Sequence, residues 1–128
     1  MVESDFQTKF TTWAKYNLEA STAFELKLSK KDSIPFSRLE EHQERNLLNA
    51  KHSQLCFKPP DLGYTNPCDM LCIKNGHGIV VVMFYTARGT KHFYTIDIDD
   101  WVKEAQTSKR RSLTETRARE IGVIHILK

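Results

Sequence analysis

The sequence predicts an α/β domain with a mixed β-sheet flanked by helices, on three observations. Capping-box patterns recur at Ser4-Asp5-Phe6-Gln7, Ser37-Arg38-Leu39-Glu40 and Ser112-Leu113-Thr114-Glu115. Each is a serine followed three residues later by Gln or Glu, which satisfies two orphan backbone donors at a helix start. Segments with period-two alternation lie between them, above all Ala23-Phe24-Glu25-Leu26-Lys27-Leu28. The apolar, Val-rich run Ile79-Val80-Val81-Val82-Met83-Phe84-Tyr85 reads as a strand buried on both faces, hence central. At 128 residues the chain makes one domain, residues 1–128, long enough to bury a core.

Taken in order, Phe6, Phe10, Trp13 and Asn17 recur at helical spacing, so a first amphipathic helix runs from Ser4 to about Ala20. The Glu25 strand follows. A second helix is expected from Ser37 to about Lys51, with Leu39, Gln43, Leu47 and Ala50 on its sheet-facing stripe. Gln43 on that stripe needs a partner: a nearby backbone group, or a water or phosphate in a site. Ser53–Lys58 reads as a strand, and the stretch from Pro59 to Pro67 as a loop full of breakers. Strands are then expected at Asp69–Ile73 and Ile79–Tyr85, joined as a hairpin through Asn75-Gly76-His77-Gly78, with Arg88-Gly89 turning into His92–Ile98. Asp99 or Asp100 caps a short helix to Gln106. Another helix, opened at Ser112 and ended by Gly122, leads to a last strand at Val123–Leu127.

Net charge is +3, with pI about 8.8, compatible with nucleic acid without demanding it. No apolar run approaches a membrane span, and Met1-Val2-Glu3-Ser4-Asp5 is not a signal peptide, so a cytoplasmic protein is expected. Cys56, Cys68 and Cys72 are an odd number, and free thiols in a reducing compartment are the expectation. Cys56 and Cys72 fall in apolar strand patterns, where cysteine behaves as a small hydrophobe. A zinc site built on Cys68 and Cys72, three residues between them, and completed by Cys56 and His77 is the other reading.

In the Glu25 strand, Phe24, Leu26 and Leu28 share one face, and Glu25 and Lys27 share the other. An exposed strand with a solvated charged face is one reading. The other is a carboxylate and an ammonium held side by side over a metal. Phe24-Glu25-Leu26-Lys27, then Ile34-Pro35-Phe36, then Glu41-His42-Gln43, resembles the RecU-type Holliday junction resolvases of the PD-(D/E)xK nuclease superfamily. The likeness spans Ala23 to Leu48, about a fifth of the chain.

That resemblance implies a restriction-endonuclease-like core and a structure-specific, metal-dependent DNA endonuclease acting in recombination as a homodimer on branched DNA. It implies Mg2+, for which Mn2+ can substitute. Catalytic roles would fall to Glu25, Lys27, Asp69 and Gln43, with the metal held by Asp69, Glu25 and the Leu26 carbonyl. The family places an Asp, often after Pro, on a strand just before Glu-x-Lys, and this chain has no such strand there. Pro67-Cys68-Asp69 supplies that element later, in a permuted strand order, if its strand pairs with the free side of the Glu25 strand. Asp69 as an ordinary strand-start residue is the alternative, and Pro60-Asp61 is the other Pro-Asp pair. Lys109, Arg110, Arg111, Arg117 and Arg119 concentrate positive charge near the C-terminus. Such a run is ordinarily a solvated face; with a nuclease it becomes a phosphate-backbone contact. Two further functions stay open, a DNA-binding module on a nuclease fold that lacks its acid, and a flap-, end- or sequence-specific nuclease.

Overall fold

The computed structural model describes residues 3–17, 21–59, 68–85 and 91–127. In chain order its elements are α1 (Glu3–Asn17), β1 (Thr22–Ser29), β2 (Ser33–Pro35), a 3-10 turn (Phe36–Arg38), α2 (Glu41–His52), β3 (Gln54–Phe57), β4 (Leu71–Lys74), β5 (His77–Phe84), β6 (His92–Asp97), α3 (Ile98–Thr107), β7 (Ser112–Thr114), α4 (Glu115–Ile121) and β8 (Val123–Ile126). The main sheet has the order β1-β5-β6-β8. β1 runs parallel to β5, and β6 is antiparallel to both β5 and β8. The fold is therefore α/β with a mixed sheet, and the Val-rich strand lies inside it, with Val80, Val81 and Val82 fully buried. No helix among the described residues is long and apolar enough to cross a membrane.

Strand alternation divides the core in two. On one face Leu26, Leu28, Val81, Met83 and Phe93 meet Phe6 and Phe10 of α1. The Phe10 ring lies 4.7 Å from Phe24 and 5.6 Å from Phe93, both edge-on. On the other face Val80, Val82, Tyr94 and Ile96 are covered by Leu47, Trp101, Ala118, Ile34 and Leu113. Each fully buried aromatic side chain contributes about 2–3 kcal/mol by removal from water. The expected stripes of the first two helices, Phe6 and Phe10 in one and Leu47 and Ala50 in the other, do face the sheet.

The helix starts differ from the capping-box expectation. Ser4 lies inside the first turn of α1, where its carbonyl accepts from Thr8 Oγ1 at 3.1 Å. Ser37 sits in the 3-10 turn, because buried Leu39 takes an extended conformation and interrupts the helix; α2 is capped by Glu40 instead. Ser112 belongs to β7, pulled into a two-stranded ribbon with β2 when Leu113 pairs with Ile34 in the core. Thr114 then caps α4, and Gly122 ends it as expected. Asp97 caps α3, accepting from the Asp99 N–H at 2.9 Å, two residues before the first expected position. The expected end of the first helix at Ala20, the loop up to Pro67 with Asp61, and the Arg88-Gly89 turn lie outside the described residues.

The hairpin expected between β4 and β5 does not form. β4 pairs with β3 in a separate antiparallel ribbon, while β5 pairs with β1 and β6. Between them Asn75 adopts the left-handed region, φ 52°, and Gly76 passes so close to β1 that a Cβ would lie 2.5 Å from the Ser21 carbonyl oxygen. The Asn-Gly pair thus redirects the chain from one sheet to another.

Cys56 and Cys72 are not free thiols. They are register partners on β3 and β4, with Cα atoms 4.1 Å apart, and form a disulfide. Both are exposed, so neither acts as a small core hydrophobe, and neither is free to bind zinc; Cys68 keeps its thiol. Thiol titration in denaturant without reductant should find one reactive cysteine per chain, rising to three after reduction. A bridge closing a loop of this length contributes about 3 kcal/mol, so reductant should lower the melting temperature. Three reactive thiols before reduction would show that the bridge is absent.

Candidate active site

Among the described residues β1 is hydrogen-bonded to one neighbour, β5, and forms the sheet's edge. It is not a solvated edge. Phe24, Leu26 and Leu28 pack towards α1, and residues 26–29 are all buried. Glu25, Lys27 and Ser29 share the opposite face, the side covered by α2, in register with Val80, Val82 and Phe84 of β5. Lys27 is only 8 % exposed. A buried ammonium requires hydrogen-bond acceptors, because desolvating it alone is costly.

Gln43 supplies one. Its Oε1 accepts from Lys27 Nζ at 3.1 Å and from the Glu40 backbone N–H at 3.0 Å. The second bond is half of a capping box with the Glu40 side chain, which accepts from the Gln43 backbone. Of the two partners weighed for Gln43, the backbone group is present, at the helix start; the lysine of Glu-x-Lys is a further partner outside those two. A helix cap fixes the amide, and the amide fixes the lysine. His42, one residue before, is exposed and faces Glu40 at 3.3 Å.

Asp69 is exposed, two residues before β4. The pairing expected to bring it beside Glu25, β4 on the free side of β1, is not formed; β4 lies with β3 in a separate two-stranded ribbon. Among the described residues no three His, Cys, Asp or Glu side chains gather as a cation-binding group. The donors on β1, the Glu25 carboxylate and the Leu26 carbonyl, are oxygens and suit magnesium in kind. The described pairing does not deliver the second carboxylate to them.

The acidic cluster at the end of β6 is spent on structure. Lys51 Nζ donates to Asp97 Oδ1 at 2.7 Å and Asp99 Oδ2 at 2.6 Å, and His52 meets Asp99 at 2.8 Å, tying the end of α2 to the start of α3. Hydrogen bonds from Lys51 and then His52 hold the Asp99 carboxyl below its ordinary range.

The five basic residues fall into two groups. Arg117 is committed to carboxylates: Nε and Nη2 each lie 3.0 Å from the Glu104 carboxylate, and Nη1 lies 2.6 Å from Glu120. Arg119 reaches Tyr94 Oη at 3.3 Å and Glu115 at 4.0 Å. Lys109, Arg110 and Arg111 are exposed in the turn between α3 and β7, with no side-chain ion pair among the described residues.

Sequence reasoning missed a polar group in which Glu115 Oε2 meets His92 Nε2 at 2.8 Å and accepts from Tyr94 Oη at 2.7 Å. Burial pushes the Glu115 carboxyl up, but the bonds from His92 and Tyr94 outweigh it and hold it below its usual range. Burial, then the Glu115 bond, raises the Tyr94 hydroxyl. The alternation His92-Phe93-Tyr94 does place His92 and Tyr94 on one face, yet nothing local in the sequence pairs them with Glu115. No family model, curated protein or solved structure matches this chain.

Proposed function

We propose that this protein is a metal-dependent DNA endonuclease, structure-specific in the manner of the RecU-type Holliday junction resolvases, and that it acts as a homodimer. The observation that supports this most is the Lys27–Gln43 contact on the face that Glu25 shares. Two parts of the motif, 16 residues apart in sequence, meet there. Hydrolysis joins a water oxygen to phosphorus, breaks one bridging P–O bond and gives the departing oxygen a proton. Magnesium would be held by Glu25 and the Leu26 carbonyl, joined by Asp69 only if its segment moves beside β1, and would supply Lewis acidity and a bound water of lowered pKa. Lys27, fixed by Gln43, neutralises charge growing on the phosphate oxygens; a donor aimed before reaction needs no reorganisation. The buried strand beneath it holds the position.

The test is cleavage of a labelled four-way junction and a matched linear duplex, with magnesium, with manganese and with chelator. Metal-dependent cleavage favouring the junction is expected. Cutting of flaps or ends in preference to the junction would replace the resolvase reading with another nuclease. A monomer at working concentration would oppose paired cleavage. The strand that follows Asp69, β4, pairs with β3 rather than β1, and this favours a second reading, a DNA-binding module without catalysis. That reading predicts junction binding and no cleavage under any metal.

A further inference from the structure

We infer that the β2/β7 ribbon carries a DNA-backbone track in which Lys30, Lys31 and Arg38 act together with Lys109 and Arg110. The inference rests on the endonuclease reading for its choice of ligand and extends it to residues outside the C-terminal basic run. Just past the end of β1 lies an open groove of about 650 Å³ lined by Ser29, Lys30, Lys31, Ser33, Arg38 and Ser112, with no acidic side chain in its wall. Leu28 and Pro35 add an apolar part to the wall, and its charged groups are three cations; with the Ser33 and Ser112 hydroxyls they match the charge and hydrogen-bonding capacity of a phosphodiester. The groove begins one residue beyond Lys27, at Leu28, on the strand that holds it.

The walls are set before any ligand arrives. Ser29 Oγ donates to the Ser33 carbonyl at 2.7 Å and accepts from the Lys31 N–H at 3.2 Å, closing the turn between β1 and β2. Arg38 Nη2 donates to the Leu28 carbonyl at 3.3 Å, one of its five N–H donors. The Phe36 N–H donates to the Arg111 carbonyl at 3.0 Å. That bond and the pairing of Pro35 with Ser112 bring the residue-30 turn and the residue-110 turn to one ribbon.

The groove shares wall residues with neighbouring concavities. Ser112 also lines a second concavity, with Lys109 and Arg110, and Arg110 and Thr114 line a third, with Arg119. Of the acids in those neighbours, Glu104 is engaged by Arg117 and Glu115 by His92 and Tyr94; Asp32 lines the third and is outnumbered there by Arg110 and Arg119. Basic segments about 75 residues apart in sequence thus form one track leading away from Lys27.

The experiment measures binding of a labelled four-way DNA junction in EDTA across a salt series, with melting temperature followed in parallel. Lys30→Gln/Lys31→Gln/Arg38→Gln should flatten the slope of log affinity against log salt by about two to three, since each lost phosphate contact removes about 0.9. Lys30→Gln/Lys31→Gln, which disturbs no hydrogen bond of those side chains among the described residues, should flatten it by about two on the same scale. A control of equal charge loss on other surfaces, Lys9→Gln/Arg45→Gln/Lys103→Gln, should change the slope less. A wild-type slope in the folded double variant, or an equal loss in the control, overturns the track. Tighter binding of an RNA duplex than of DNA overturns the choice of ligand. Because binding is read without metal, absence of cleavage by the wild type would sink the endonuclease reading alone, and cleavage with unchanged slopes would sink the track alone.

Discussion

Glu25→Gln and Asp69→Asn are each expected to abolish junction cleavage in magnesium while leaving folding and binding in EDTA intact. The described pairing keeps Asp69 away from Glu25, so the two share a cation only if the Asp69 segment moves beside β1; carboxylates brought together there repel, and a bound cation makes the arrangement favourable. Removing one charge should therefore leave the metal-free protein equally stable or slightly more so, while metal affinity falls. Lys27→Ala should slow cleavage by about 10²–10³-fold, the cost of losing one oriented group at a transition-state oxyanion, and still permit metal binding. Gln43→Ala combines two effects: it frees Lys27, and it costs about 1 kcal/mol through the lost helix cap. Asp61→Asn is the internal control and should cut normally. The result is read from single-turnover rates beside a titration of metal affinity. If Asp61→Asn is dead and Asp69→Asn active, the second carboxylate is Asp61. If Glu25→Gln cuts like wild type, the site lies elsewhere.

Locally coded features were legible in the sequence. Alternation found β1, the Val-rich run found the central strand, and helical spacing found the core faces of α1 and α2. Features that depend on which surfaces meet were not. Ser37 and Ser112 carry good capping patterns, yet neither caps, because burying Leu39 and pairing Leu113 with Ile34 outweigh a local cap. A cap contributes about 1 kcal/mol, while a buried leucine contributes about 2 kcal/mol. Asn75-Gly76 signals a turn, and a turn is present, but the signal does not say which strands it joins. Cys56 and Cys72 became partners through the register of β3 with β4, invisible until the pairing is known. At the candidate site, the spacing of Glu25 and Lys27 was readable, and so was the placing of Gln43 on the sheet side. Its choice of Lys27 as partner is a tertiary fact.

Gly78→Ala is expected to be among the most destabilising single-methyl additions in the chain, and to slow cleavage without touching a proposed catalytic residue. Gly78 begins the buried part of β5, opposite Ala23 of β1. A Cβ there would collide with the Leu47 carbonyl oxygen and lie 2.9 Å from the Leu47 carbonyl carbon. Both are backbone atoms of α2, so no rotamer change relieves the clash; either the helix lifts from the sheet or the strand moves. Overpacking typically costs 1–3 kcal/mol where side chains can yield, so about 3 kcal/mol or more is expected here. Lifting α2 moves Leu47 and Ala50 out of the core and moves Gln43 on the same helix away from Lys27. Thermal unfolding should show a melting temperature lower by roughly 10 °C, at about 3–4 °C per kcal/mol for a domain of this size. Cleavage measured well below that temperature should also fall, with DNA affinity in EDTA preserved. Alanine tolerated without loss of stability would mean that α2 does not approach β5 so closely. Lost stability with wild-type cleavage would separate α2 docking from the positioning of Lys27.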